Sequence, residues 1–151
     1  MRVFIDTNII LEYFMHREEF AVAERLLWGL RRSGIQMYMS VGAFYTMHYI
    51  ILKYLRKELN LVGEECIMNL RVVMHQILQI FDVAEHDKGS LLRGVSDLAY
   101  KDLEDSCQYQ VAQKVGCEVL LTFNTSDYPV VESSHVQVLT PQQFLDLNIS
   151  K

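Results

Sequence analysis

The chain changes its hydrophobic rhythm at one residue, and that change limits the folds open to it. Val3, Phe4 and Ile5 form an apolar run of β-branched and aromatic side chains, the signature of a buried strand. Asp6 ends the run. Ile9, Ile10, Leu11, Tyr13 and Phe14 resume apolar character at once and predict a short helix through about Phe14. A strand that hands over to a helix at a carboxylate puts that carboxylate at the carboxyl end of a sheet, the edge where open parallel sheets bind ligands. Two readings of Asp6 stand side by side. It is a functional acid, or it caps the next helix together with Thr7 and Asn8, all three being good N-cap residues.

The same alternation continues along the chain. Residues 19–32 predict a helix with Phe20, Ala23, Leu27 and Leu30 inward, stopped by Arg31, Arg32 and Gly34. A second strand is expected at 35–40, joined to the first by a parallel crossover. Residues 41–56 read as a helix striped by Phe44, Met47, His48, Ile51, Leu52 and Leu55, with Tyr45 and Tyr49 on the other side. Apolar character nearly all round predicts burial of its first half, with His48 a core histidine rather than a ligand. A helix over 64–79 presents Ile67, Leu70, Met74, Ile77 and Leu78. A short strand follows at 80–83, then a helix over 87–99 that Gly89 and Gly94 weaken. Residues 102–114 form another helix, with Leu103, Cys107, Val111 and Val115 at core spacing. Strands at 118–123 and 136–139 and a last helix opened by Thr140-Pro141 complete the pattern. Strands alternating with helices predict an α/β fold: a three-layer α/β/α sandwich with a mainly parallel central sheet, one domain over residues 1–151.

Charge narrows the function. Fourteen Lys and Arg against nineteen Asp and Glu give a net charge of -5, which argues against coating nucleic acid through a basic surface. It leaves room for an enzyme that meets a phosphodiester through a metal. The basic groups Arg31-Arg32 and Lys53, Arg56, Lys57 read as solvated helix ends. Cys66, Cys107 and Cys117 have no CxxC spacing, so neither a disulfide framework nor a zinc site is signalled. With no membrane-length apolar run and no signal-like N-terminus, a cytoplasmic setting without membrane association is expected.

The densest acidic cluster is Asp102-Leu103-Glu104-Asp105. Capping and the helix dipole explain one or two of these acids. They explain three less well, because such near neighbours repel unless something positive lies between them. Asp102 and Asp105, three apart, share a helix face. The strand at 118–123 ends in Asn124-Thr125-Ser126-Asp127, which repeats the logic of Asp6. Were these groups to meet at one sheet edge, their oxygens, without His or Cys, would suit Mg²⁺ or Mn²⁺. Such ions orient and acidify water and neutralise charge on a phosphodiester. The chain has no GxGxxG, P-loop or GxSxG pattern. Phosphoaspartate enzymes commonly carry a second Asp two residues after the first, where this chain has Asn8.

Asp6-Thr7-Asn8, Asp102-Leu103-Glu104-Asp105 and Thr122-Phe123-Asn124-Thr125-Ser126-Asp127-Tyr128 together resemble the PIN-domain family in order and spacing, from residue 2 to about Phe144. The resemblance implies an Mg²⁺- or Mn²⁺-dependent ribonuclease, with RNA as substrate, of the kind found as the toxin of toxin–antitoxin pairs. Its partner would then be an antitoxin protein. It makes Asp6 the first metal ligand and Asp105 the helix acid that faces it. Asn124 stands where many members have a fourth acid, as in one branch of the family, and Asp127 offers that charge instead. Asn8 and Thr122 orient the carboxylates, and Asp102 is an outer ligand. Two positions depart from the family: Thr46 stands where a Glu is usual, and Phe123 where an Arg is usual. The absence of that ligand charge and of that phosphate-binding cation predicts weaker binding of metal and RNA. A PIN-fold module that binds RNA or protein without cleaving is therefore the rival reading, and a small-molecule phosphohydrolase of another α/β fold is the third. The apolar helices at 41–56 and 64–79 offer a homodimer face, though core packing explains them equally well.

Overall fold

The computed structural model describes residues 1–149; residues 150 and 151, the end of the expected domain, lie outside the described residues. The elements in order are β1 (Arg2–Ile5), α1 (Thr7–Phe14), α2 (Phe20–Arg32), β2 (Gln36–Ser40), α3 (Val41–Lys57), α4 (Gly63–Ile80) and β3 (Asp82–Ala84). They continue with α5 (Lys88–Ser96), α6 (Leu103–Lys114), β4 (Val119–Leu121), β5 (Gln137–Leu139) and α7 (Pro141–Ile149). The five strands form one parallel sheet in the order β3-β2-β1-β4-β5.

Side chains alternate across a strand, so β1 feeds two cores. Val3 and Ile5 pack with α1, α2, α3, α4 and α7, while Phe4 faces Tyr109, Val111 and Ala112 of α6. This is the expected three-layer α/β/α sandwich. From β1 to β2 to β3 the chain steps one way across the sheet with its helices on one face. From β3 to β4 it steps back, and crossovers of one hand then put α5 and α6 on the other face. The strand order reverses between β1 and β4. Their carboxyl ends therefore flank the crevice in which open sheets bind ligands.

Several local expectations hold. Gly34 follows α2 with φ of 65°, and Ile35 N–H donates to the Leu30 carbonyl at 3.1 Å. That left-handed turn is the helix stop that Gly supplies without a Cβ penalty. Ser40 caps α3 by accepting from Ala43 N–H at 2.9 Å.

Three expectations are corrected. His48 is exposed, not in the core; the inward stripe of α3 is Ala43, Met47, Ile51 and Leu55. Tyr45 and Tyr49 are 64 % and 66 % exposed, so the first half of α3 is one-sided rather than fully buried. The core face of α6 is Ser106, Gln108, Tyr109, Val111 and Ala112, whereas Leu103 is 58 % exposed. The physical reason lies at α5. Ser106 Oγ donates to the Gly94 carbonyl at 2.7 Å, and a Cβ on Gly94 would stand 2.7 Å from Cys107 Sγ. Gly94 lets the two helices touch, and its use outweighs its helix propensity. A capping box between Asp87 and Ser90 opens α5 and offsets the glycines further.

Candidate active site

Asp6 follows β1 and is 4 % exposed. Its backbone N–H still extends the sheet, donating to the Leu121 carbonyl at 2.9 Å. Asp6 occupies the N-cap position of α1, but its carboxylate makes no side-chain capping bond there. Both of its oxygens are instead held from elsewhere. Thr122 Oγ1 donates to Oδ2 at 2.7 Å, Asn8 Nδ2 to the same oxygen at 3.2 Å, and Gln108 Nε2 to Oδ1 at 3.0 Å. Burial raises the Asp6 pKa, and the hydrogen bonds from Thr122, Gln108, the Thr7 backbone and Tyr128 pull it back.

Thr122, fully buried after β4, is a junction. Its Oγ1 also accepts from Asn8 Nδ2 at 3.1 Å and from Asn124 N–H at 3.0 Å. Asn8 Oδ1 accepts from Phe123 N–H at 3.4 Å. Asn8 and Thr122 thus tie the ends of the two central strands to one carboxylate, in the places where sequence reasoning expected orienting residues.

The first turn of α6 supplies the other acids. Asp102 Oδ1 caps the helix, accepting from Glu104 N–H at 2.8 Å and Asp105 N–H at 3.2 Å. Asp105 is half-buried. Desolvation, then the negative charges of Asp6, Asp102 and Asp127, push its carboxyl up to about 7. The Tyr128 hydroxyl lies 3.4 Å from Asp6 Oδ2 and 3.4 Å from Asp105 Oδ1, so one phenol stands between the two carboxylates. Asp127 closes a 3₁₀ turn (Thr125–Asp127). It is exposed, like Asn124 beside it. All of these except Thr122 and Tyr128 line one cleft of about 470 Å³, together with Thr7, Thr46, Glu104, Gln108, Arg17 and Lys101.

Glu104 is the functional candidate that sequence reasoning left without a role. Thr7 Oγ1 donates to its Oε1 at 2.9 Å, and Thr46 Oγ1 donates to its Oε2 at 3.0 Å. Thr46 therefore stands opposite a carboxylate and presents it with a hydroxyl. A glutamate at position 46 would set two negative charges against each other there. Gln108 and Tyr128 were also missed as site residues. One signal was available: Gln108 lies four residues after Glu104 and three after Asp105, on their face of the helix.

The donor set is all oxygen and strongly negative, which suits a hard divalent cation. Among the described residues no three His, Cys, Asp or Glu side chains are already gathered into a cation cage. Desolvation is the larger cause of the Asp105 rise, and the repulsion from Asp6, Asp102 and Asp127 that adds to it is what a cation between these carboxylates would relieve. Asp6, Asp105 and Asp127, with Glu104 beside them, are the residues that could hold one.

A family profile described as PIN domain matches residues 2–126. Ribonuclease VapC1 of Aquifex aeolicus (strain VF5) is 29 % identical over 149 residues, which covers 96 % of this chain and 94 % of that protein. The crystal structure of VapBC2 from Rickettsia felis, bound to a DNA fragment from their promoter, contains a chain similar to this one. The TM-score is 0.64 and the identity 11 %, across 93 % of this chain and 98 % of that one. VapC20 of Mycobacterium tuberculosis, a sarcin-ricin loop cleaving toxin, matches with a TM-score of 0.59 and 14 % identity, across 86 % of this chain and 97 % of that one. Profile, sequence relative and shared fold agree with the carboxylate cleft at the strand switch: the chain belongs to the PIN-domain family.

Proposed function

We propose that this protein is an RNA endonuclease of the toxin type that hydrolyses phosphodiester bonds with Mg²⁺ or Mn²⁺ in the carboxylate cleft. One observation carries the reading: a buried Asp6 whose carboxylate makes no side-chain capping bond to α1 and is clamped by Thr122, Asn8 and Gln108 beside the acids of α6. Asp6, Asp105 and Asp127 are assigned to the metal, and a bound divalent cation there would orient and acidify water and offset charge on the phosphate. The chain's own groups set the stage. Three hydrogen bonds fix the plane of the Asp6 carboxylate. Thr7 and Thr46 hold Glu104 by both oxygens, at the edge where the family's usual glutamate is absent. That arrangement answers the case for a non-cleaving module, because the charge missing at Thr46 is present at Glu104. Asn124 and Asp102 line the cleft as outer groups. Arg17 and Lys101 also line the cleft and are the cations there that would meet substrate phosphates.

The similarity to Ribonuclease VapC1 and to the VapBC2 and VapC20 chains supports two further assignments: RNA as substrate, and an antitoxin protein as partner. Among the described residues no helix is long and apolar enough to cross a membrane; a cytoplasmic site of action is proposed on the similarity to Ribonuclease VapC1. A homodimer is the second partner proposed. Met68 and Val72, four apart on α4 and exposed, favour it over the reading of that helix as core alone.

The test is cleavage of a mixed RNA pool with Mn²⁺, beside an EDTA control and the Asp6→Asn variant. Cleavage should need both the metal and Asp6, with the variant still folded. An Asp6→Asn protein that cleaves at the wild-type rate would overturn the assignment.

A further inference from the structure

Tyr45, Tyr49, Lys53 and Lys57 follow one another at four-residue intervals along α3, so each neighbours the next on one oblique ridge of the helix. The two tyrosines are mostly exposed. Tyr45 is held edge-on by the half-buried Phe44, with ring centroids 5.4 Å apart at 88°. The face borders a groove of about 340 Å³ whose walls include Met15, Arg17, Tyr49, Lys53 and Lys57, with Glu58 also present. Arg17 lines the carboxylate cleft as well, so groove and cleft share a wall. At the other end of the face, Tyr45 is next to Thr46, which donates to Glu104 in the cleft. Among the described residues, Arg17, Lys53 and Lys57 enter no salt bridge.

From this we infer that the outer face of α3 is a track for a single-stranded RNA segment leading into the cleft. Tyr45 and Tyr49 would stack bases, while Lys53, Lys57 and Arg17 would pair with phosphates. The inference rests on the RNA-cleaving reading and names the form of substrate that reading would take. Helix-end solvation explains Lys57 in the last turn of α3. It does not explain Lys53 a turn earlier, nor two open aromatic faces in line with it. Aromatic platforms with flanking cations are how proteins hold single strands without reading sequence. A duplex keeps its bases stacked and offers such rings nothing. Cations on this face also complement a polyanion although the chain as a whole carries a net charge of -5.

The test reads binding rather than turnover. Fluorescence anisotropy is measured with a labelled unstructured RNA oligonucleotide and with a perfect RNA hairpin, on Asp6→Asn protein in EDTA. To that background are added Tyr45→Ala with Tyr49→Ala, Lys53→Gln with Lys57→Gln, and, as a control, Trp28→Ala, an exposed aromatic on α2. Thermal unfolding verifies that each is folded. The tyrosine pair should weaken single-strand binding by roughly tenfold or more. The lysine pair should flatten the salt dependence by roughly 0.7 in log–log slope for each phosphate that is no longer neutralised. Trp28→Ala should change neither, and the hairpin should be indifferent to the tyrosines. Single-strand affinity unchanged in both pairs would overturn the track. Unchanged RNA affinity with altered self-association or protein binding would give the face to a protein partner and overturn it equally. Because no turnover is needed, a wild-type protein that cleaves no RNA would refute the nuclease reading alone, and these affinities would still decide the track.

Discussion

Crowded carboxylates make the metal-free protein sensitive to pH in an uncommon direction. Asp105, at about 7 in the fold against an ordinary value of 3.8, binds a proton more tightly folded than unfolded. The folded state therefore holds more protons between pH about 4 and 7, and stability must fall as pH rises through that window. Below the unfolded value this contribution is fully present; above about 7 it is gone. At about 1.36 kcal/mol per tenfold change in affinity, the gap corresponds to at most ~4 kcal/mol. Asp105 is only half-buried, and solvent screening reduces the expected effect to roughly 1–2 kcal/mol. For a chain of this length that is a drop of roughly 3–6 °C in Tm. The raised Asp6 adds to it with the same sign. His86 opposes it: desolvation, then Lys114, lower its pKa, so its share of stability grows with pH. The assay is thermal unfolding in EDTA at pH about 5.5 and about 8, which spans roughly half of that window and so roughly half of the drop, for wild type and Asp105→Asn. Subtracting the variant removes His86 and every remote group. The wild type should lose more Tm than Asp105→Asn over that interval, and Mn²⁺ should restore more of it at the higher pH, where protons no longer compete. Equal losses in the two proteins would refute the electrostatic account of the cleft.

Two substitutions probe the surroundings. Glu104→Gln removes one charge while keeping an acceptor for Thr7 or Thr46; RNA cleavage and Mn²⁺ affinity should drop roughly 10- to 100-fold, read by gel assay and metal titration, with Tm held or raised. Gly94→Ala forces a methyl group to within 2.7 Å of Cys107 Sγ and 3.2 Å of Cys107 Cα; the separation of α5 and α6 must grow, at a cost of about 1–3 kcal/mol, read as a lower urea midpoint.

The strand-to-helix handovers were legible in the sequence because each is a local event. Asp6 after Val3–Ile5 marks a strand end by polarity alone, and the oxygen-bearing residues that follow 118–123 mark another, although β4 stops at Leu121 and leaves Thr122 just past the strand rather than within it; a parallel sheet aligns such ends on one edge. Which face of α6 turns inward was not legible. Leu103 and Cys107 promised a core stripe, but that helix buries Ser106 and Gln108 because in its first half Ser106 docks on Gly94 and Gln108 meets the Asp6 carboxylate. Burial there is decided by partners from distant segments, and periodicity carries no trace of them. Glu104 was overlooked for a related reason: spacing within the helix picks out Asp102 and Asp105 as a pair, while the hydroxyls that hold Glu104 come from α1 and α3. His48 misled because apolar neighbours surround it in sequence although solvent meets it in space.

The order of the strands also bears on when the chain can act during its own synthesis. β1 is made first but lies at the centre of the sheet, with one edge open until β4 arrives more than a hundred residues later. Thr122 reaches Asp6 across 116 residues and Gln108 across 102. A nascent or truncated chain that stops before β4 has Asp6, Asn8 and Gln108 but not Thr122, the junction that ties Asp6 to the neighbouring strand, and it lacks the turn that carries Asp127. Loop closure over such distances is also slow compared with local helix formation. The emerging polypeptide therefore passes most of its time on the ribosome without an assembled cleft, beside the RNA of the machine that is making it.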